Sequence, residues 1–286
     1  MEISLSDHKF MKTEVNLLLV VLAVYKFWLE PRYTLLAGLT LPVLLCVLIE
    51  VMIFFPAEQR FRFGKTSLTT WLIVGFVMSV ESPWWMFFVI ALITLGFKHF
   101  VRIREKNIFN PAALGMFLAL LLFKGETDWK DAQAWYALVP AGLWFAYQAG
   151  KLELLAGYFA AALPLAFLEH RLGWNALGHL NYFFIFIMLI EPKTSPAGRW
   201  QKILFGAGVA SLAFILEKWK FPFEPALFAL LVFNALTPWL DNVPDLKLAL
   251  PAPLRVANIS ELKSDTPSSK RSHRPKKKPE PVSNRA

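Results

Sequence analysis

The chain repeats two short motifs about 110 residues apart, and the motifs occur in the same order in both halves. The first motif ends an apolar, Met-containing run with Glu followed by Ser-Pro, and it reads VMSVESP at 77–83 and IMLIEPKTSP at 187–196. The second opens the next apolar run, and it reads KNIFNPA at 106–112 and KFPFEPA at 220–226. Such internal similarity in a hydrophobic chain is typical of a duplicated membrane protein.

Composition supports a membrane location for the duplicated part. Hydrophobic residues make up 56% of the 286 residues, and the mean hydropathy is +0.45, which is above the range of soluble domains. The 11 Trp and 26 Phe often stand beside polar breaks, as in interfacial belts. The single cysteine, Cys46, excludes an internal disulfide, a cluster held by several cysteines and a c-type haem attachment.

The hydrophobic pattern predicts ten apolar segments, several of them shorter than the roughly 20 residues that a membrane-spanning helix needs. They lie near 15–29, 34–55, 67–80, 84–98, 112–123, 134–148, 153–168, 181–190, 203–217 and 225–240. Because each repeat contains five segments, an odd number, the second repeat must be inverted relative to the first. We therefore expect an all-α membrane domain over 1–240, with repeat one at about 13–123, repeat two at about 134–240, and a site between them.

Loop charges predict the orientation of this domain. With the N-terminus in the cytoplasm, thirteen Lys and Arg fall in inside loops and six in outside loops, in agreement with the positive-inside rule. Residues 241–286 form a Pro- and Lys-rich tail with ten more cations, which we predict to be disordered and cytoplasmic. A basic tail binds anionic lipid or nucleic acid. We favour headgroup contact and expect no nucleic acid, because the net charge of +9 comes largely from this tail and the inside loops.

The first polar break precedes the fifth segment. Asn110 suits a helix N-cap and Pro111 the first helical turn. A helix that starts at membrane depth presents free N–H groups and a positive dipole end, and Lys98 lies just upstream. The break therefore suits either an anion site or a plain capped helix flanked by inside cations.

The second polar break follows the eighth segment. Pro192 and Pro196 forbid a continuous helix there, so the freed backbone groups must meet protein or a wet cavity. Glu191 is costly in lipid and is either a functional group or a solvated helix end. We predict a cofactor site that draws on both breaks, built from Lys98, Asn107, Asn110, Pro111, Glu191, Lys193, Thr194 and Ser195. No pattern in the sequence indicates a metal site.

Four strings carry a family resemblance: TTWLIVGFVMSVESPWW, KHF, NIFNPAALG and IMLIEPKTSPAGRW, within about 69–122 and 181–216. They resemble the RnfD/NqrB family, whose members belong to Rnf complexes and to Na+-translocating NADH:quinone reductases. The resemblance implies a ten-helix inverted-repeat fold, also similar to urea transporters, in the bacterial cytoplasmic membrane. It also implies a flavin-carrying subunit (FMN or riboflavin) that works with other electron-transport subunits.

The chain departs from the family pattern at three places. Family members with FMN on a threonine phosphoester have a Ser-Gly-Ala-Thr-type motif, whereas here the connection reads KGETDWKDAQ and Thr127 lacks the preceding Gly-Ala. Glu191 replaces the usual Asp, and FVRIRE replaces a glycine-rich turn. We therefore expect any flavin to be bound non-covalently.

Three functions fit these observations. The first is a membrane subunit of an electron-transport system that is not catalytic alone, because the chain supplies no nicotinamide site and no iron–sulfur ligands. The second is a transporter or channel-like protein on the same duplicated fold, since a fold does not fix function. The third is a membrane anchor for a redox partner, without a cofactor of its own.

Overall fold

The structure is a computed structural model that describes residues 5–29, 31, 33–58, 65–79, 81–100, 102–103, 106–129, 134–169, 175–178, 180–191 and 194–242. Within these ranges, side chains are described except at 5–12, 34–36, 46, 50–51, 53–58, 65–67, 98–100, 102–103, 106–107, 169 and 175–176. The chain divides into two units, Met1–Leu246 and Lys247–Ala286. All described residues belong to the first unit.

The described part is mostly helical, as predicted. Its helices are α1 Leu5–Leu29, α2 Tyr33–Glu58, α3 Lys65–Val77, α4 Trp84–Phe100, α5 Pro111–Phe123, α6 Trp135–Gln148, α7 Leu152–Glu169, α8 Asn175–Gly178, a π-helix Phe184–Met188, α9 Arg199–Lys218 and α10 Pro225–Leu240. Two strands of two residues, β1 Arg102–Ile103 and β2 Lys106–Asn107, form a hairpin between α4 and α5. We call α1–α5 the first half and α6–α10 the second half.

One helix is both long and apolar enough to cross a membrane by itself, judged by length and composition within the described residues: Arg199–Lys218. Shorter apolar helical stretches of 10–17 residues occur in both halves, among them Leu68–Val77, Pro111–Phe123 and Pro225–Leu240. Helix α5, with 13 residues, extends about 20 Å. Such an element begins or ends inside a hydrocarbon layer of about 30 Å, where its terminal backbone groups need partners.

Helices pack in corresponding ways in the two halves. In the first half α4 packs on α2 and α5, and in the second half α9 packs on α7 and α10. Between the halves, α1 contacts α6 and α5 contacts α10, so helices at the same place in each half meet each other. The backbones of α7 and α9 approach closely, because a Cβ added to Gly157 would overlap the backbone of Ile203. Small residues of this kind allow helices to pack tightly in a lipid environment.

The helices that join the two halves run antiparallel. Near one end of the α1–α6 pair, Glu14 accepts hydrogen bonds from Trp144 and Gln148. Near the other end, the rings of Tyr25 and Tyr136 lie 6.1 Å apart. Residue numbers therefore rise along α1 as they fall along α6. The same holds for α5 and α10, whose end contacts form the candidate site.

The apolar core is continuous through both halves. Its largest fully buried side chains include Trp71, Phe76 and Phe87 from the first half and Phe183, Phe184, Phe186 and Phe205 from the second. The ring of Phe76 lies 5.4 Å from the ring of Phe183. The core therefore links the end of α3 to the π-helix, the two elements that lead into the two copies of the first repeated motif.

Candidate functional site at two junctions between the halves

Asn110 caps helix α5, as the sequence predicts. Its extended backbone (φ −61°, ψ 115°) turns the side chain back, so that Oδ1 accepts a hydrogen bond from the N–H of Ala113 at 3.0 Å. Pro111 occupies the first helical position, where no N–H is needed. Asn110 is only 2% exposed. A buried helix start is therefore stabilised by its own cap.

The second predicted break is a buried turn between the π-helix and α9. Thr194, Ser195 and Pro196 are buried, and Glu191 is half-buried. The Ser195 hydroxyl donates to the backbone carbonyl of Glu191 at 3.1 Å. The ammonium group of Lys151, itself buried, donates to the carbonyl of Pro196 at 3.0 Å. Carbonyls that a helix would have bonded are thus satisfied by side chains, as a break away from bulk water requires.

Asn234 of α10 connects the two breaks. Its amide orientation follows from its neighbours: Oδ1 accepts from the backbone N–H of Asn110, and Nδ2 donates to the carbonyl of Thr194, both at 3.2 Å. Thr237, one turn further along α10, donates to the same Thr194 carbonyl at 3.1 Å. Asn234 is completely buried. We call Asn110, Thr194, Asn234 and Thr237 the Asn234 junction.

A second junction lies at the opposite ends of α5 and α10. The hydroxyl of Thr127, just after α5, donates to Oε2 of Glu224 at 2.7 Å. Thr127 also forms an antiparallel bridge with Met78, just after α3. The N–H of Ser79 donates to the carbonyl of Glu126 at 3.1 Å. We call Val77–Ser79, Glu126–Trp129 and Glu224 the Thr127 junction.

The two junctions have the same arrangement, with the roles of the first and second halves exchanged. At the Thr127 junction, Met78, which follows α3 of the first half, is joined through Thr127 to Glu224 at the start of α10. At the Asn234 junction, Thr194, which follows the π-helix of the second half, is joined through Asn234 to Asn110 at the start of α5. In both, residues that follow the fifth helix complete the contact: Thr127 bonds Glu224, and Asp241 accepts from the N–H of Ala197 at 2.9 Å. The polar chemistry differs, because two amides lie at the Asn234 junction and a carboxylate lies at the Thr127 junction.

The structure brings part of the predicted site together. Asn110 and Thr194 meet through Asn234, Pro111 starts α5, and Ser195 and Glu191 belong to the same turn as Thr194. The side chains of Lys98 and Asn107 and the whole of Lys193 lie outside the described residues. Asn234 and Thr237 were not predicted. Their signal was a polar pair one turn apart in the otherwise apolar run FNALTP.

The α6–α7 connection and the start of α9 carry several cations, of which Lys151 contacts the turn before α9. Besides Lys151, the ammonium group of Lys202 donates to the carbonyl of Gly150 at 2.7 Å. Glu153 pairs with Arg199 at 3.2 Å and lies 3.8 Å from Lys202. Within the described residues, no group of three or more His, Cys, Asp or Glu side chains is placed to hold a metal ion.

The residues around Thr127 do not suit a flavin phosphoester. A phosphodiester on the Thr127 oxygen would place a negative phosphate against the Glu224 carboxylate, which is now 2.7 Å away. Like charges at this distance repel, and no cationic side chain among the described contacts of Thr127 offsets the repulsion.

Comparison with known proteins identifies related chains. Residues 152–247 match the NQR2, RnfD, RnfE family. The RnfD component of the ion-translocating oxidoreductase complex of Stutzerimonas stutzeri is 23% identical over a match that covers 65% of this chain and 75% of that protein. The component of the same name from Pseudomonas aeruginosa is 24% identical over a match that covers 62% of this chain and 72% of that protein. The resemblance to the RnfD/NqrB family that the sequence predicts is therefore confirmed.

Proposed function

We propose that this chain is a membrane-embedded subunit of an ion-translocating oxidoreductase complex. The observation that carries this proposal is the similarity to RnfD proteins, which extends over about two thirds of the chain. The chain does not act alone in this proposal. Other subunits of the complex supply the electron donor and acceptor sites, and this subunit positions groups within the membrane.

The membrane arrangement that we propose is ten crossings in two inverted repeats, with lipid around the bundle and both termini in the cytoplasm. Two antiparallel pairs of corresponding helices, α1 with α6 and α5 with α10, support inversion. Exposed aromatic residues near helix ends support lipid contact: Trp28, Trp84, Trp135, Trp219 and Trp239 are each more than half exposed. The bacterial inner membrane is the corresponding location.

A flavin, where present, is bound non-covalently in this proposal. The groups that would hold it lie around the start of α5 and the Glu191–Pro196 turn, with Lys98 and Lys193 as the cations for its phosphate. Bound there, the flavin would supply one- and two-electron redox chemistry, and the chain would supply orientation and charge. Asn110 and Thr194 already bond Asn234, so a ligand at this place lies beside Asn234 or displaces it.

The same hydrogen bonds favour a second candidate, a membrane anchor without a cofactor. At both junctions, backbone groups that a cofactor would otherwise contact are bonded within the chain, to Asn234 and Thr237 at one and to the 126–129 segment at the other. An anchor needs only a rigid helix bundle whose buried polar groups are hydrogen-bonded within the chain. The two candidates differ in whether the purified protein carries a chromophore.

The deciding experiment is an absorbance spectrum of the tagged protein, purified in mild detergent alone and with its co-purifying partners. The first candidate predicts flavin absorbance near-stoichiometric with protein, released into the supernatant on acid denaturation. Folded protein that is colourless, but still captures redox subunits, would support the anchor. Folded protein that captures no redox partner would contradict membership of an oxidoreductase complex.

A further inference from the structure

Residues 124–129, which we call the strap, cross the end of helix α3. The carbonyl of Val77 accepts from the N–H groups of Asp128 at 2.9 Å and Trp129 at 3.3 Å, and the carbonyl of Glu126 accepts from Ser79. Val77, whose carbonyl the strap bonds, is completely buried. The strap therefore supplies the partners that the broken end of α3 lacks.

The strap is bounded by two residues in the left-handed backbone region. Lys124 has φ 52° and Trp129 has φ 45°, values that a bulky side chain rarely adopts. The Trp129 ring lies 6.4 Å from the ring of Phe183 and 6.1 Å from that of Phe184, both at the start of the π-helix. The ring contacts hold Trp129 in a backbone conformation that is unfavourable by itself, whereas Lys124 adopts it as the C-cap of α5.

The side chain of Thr127 fastens the strap to the second half through its 2.7 Å hydrogen bond to Glu224. Both residues are half-buried, and Lys124, Glu126 and Asp128 around them are exposed. By contrast, the Asn234 junction is held by a fully buried amide inside a helix. A partly solvated fastening in a loop opens more readily than a buried one in a regular element. We therefore expect the Thr127 junction to open before the Asn234 junction.

We propose that the strap is a displaceable cover, closed by the Thr127–Glu224 hydrogen bond, which controls access to the buried end of α3. It touches α3 of the first half and the π-helix and α10 of the second half. Its displacement exposes the Val77 carbonyl and removes Trp129 from the Phe183 ring while the Asn234 junction stays intact. This inference does not depend on a bound flavin or on the identity of the partner subunits.

Thiol protection tests the cover directly. In a Cys46→Ser background, Val77→Cys places a thiol beneath the strap, and Val209→Cys places one in α9, where position 209 is also completely buried. A small polar thiol reagent then reports access to each position in detergent-solubilised protein. The fastening is weakened by Thr127→Val, or by Glu224→Gln, which keeps an acceptor but removes the charge.

Thr127→Val should raise the labelling rate at position 77 about tenfold, the size expected for losing one hydrogen bond to a charged acceptor. Glu224→Gln should raise it by a smaller factor, and labelling at position 209 should not change in either variant. Hydrogen exchange should likewise increase in the 124–129 segment and not in the middle of α9. An unchanged rate at position 77, or a parallel rise at positions 77 and 209, would overturn the proposal.

Discussion

The side-chain oxygen of Asn234 in the last helix accepts a hydrogen bond from the backbone N–H of Asn110 at 3.2 Å, although the two residues belong to opposite halves of the chain. The same amide reaches the Thr194 carbonyl, so one fully buried side chain joins the start of α5 to the turn before α9. This contact ties the first half to the second at the place where both depart from regular helix.

Replacing Asn234 with Leu should destabilise the protein more than a change at a neighbouring exposed position. The substitution leaves the Asn110 N–H without its acceptor in a buried site, at a cost of about 1–3 kcal/mol. Thr194 keeps the hydrogen bond from Thr237, so the loss at its carbonyl is partial. The measurement is the thermal unfolding midpoint in detergent. Asn242→Leu, at an exposed position just after α10, is the control, and equal midpoints for the two variants would contradict the assignment.

Asn110→Ala should weaken the start of α5 by about 1 kcal/mol, because the N–H of Ala113 loses its cap. Asn110→Asp keeps a capping oxygen and should restore most of that stability. If the flavin proposal is right, Asn110→Ala also lowers flavin retention, and Glu191→Leu lowers it further by removing a charge from the second break. Retention is measured as flavin released per folded protein. Full retention in both variants would place the flavin elsewhere.

No flavin should be covalently attached through Thr127. The Glu224 carboxylate within 2.7 Å of the hydroxyl opposes an anionic phosphoester there. Denatured protein should therefore show no flavin fluorescence in a gel under ultraviolet light, even when the native protein is yellow. A fluorescent band that is present in the parent and absent in Thr127→Val would refute this prediction.

The α7–α9 contact should tolerate no added methyl group. A Cβ at Gly157 would overlap Ile203, and a Cβ at Gly206 would overlap Leu154, in both cases at backbone atoms that cannot rotate away. Each Ala substitution should cost about 1–3 kcal/mol through overpacking. Gly96→Ala in α4 is the matched control, because nothing lies within 4 Å of the added Cβ. Unfolding midpoints that fail to separate Gly157→Ala from Gly96→Ala would show that this packing is wrong.

Local signals were sufficient to predict most helices. Helix α10 was expected at 225–240 and is found at Pro225–Leu240, because Glu-Pro marks its start and polar residues follow its end. The eighth segment was expected over 181–190, but its regular part is the π-helix Phe184–Met188. There the Asn181 side chain accepts from the N–H of Phe184 at 2.9 Å, an interaction that apolar periodicity does not reveal.

The junctions could be predicted only in part, because their partners are distant in sequence. The motif at 106–112 identified Asn110 as a cap, a local property. Its bond to Asn234, and that of Thr127 to Glu224 across 97 residues, depend on α5 and α10 lying antiparallel. The short repeated motifs indicated that the halves correspond, but they did not specify which side chains fill the contact.

The two halves should be inverted with respect to the membrane, and reporter fusions test this arrangement. Fusions that report cytoplasmic or external location, placed after Lys65, Gly125, Lys193 and in the tail, should read in, out, in and in. Gly125 is decisive, since it lies in the connection between the two proposed repeats. An external Gly125 with a cytoplasmic Lys193 supports inversion of five-segment repeats. A cytoplasmic Gly125 would contradict the proposed order of membrane crossings and, with it, the inverted repeat.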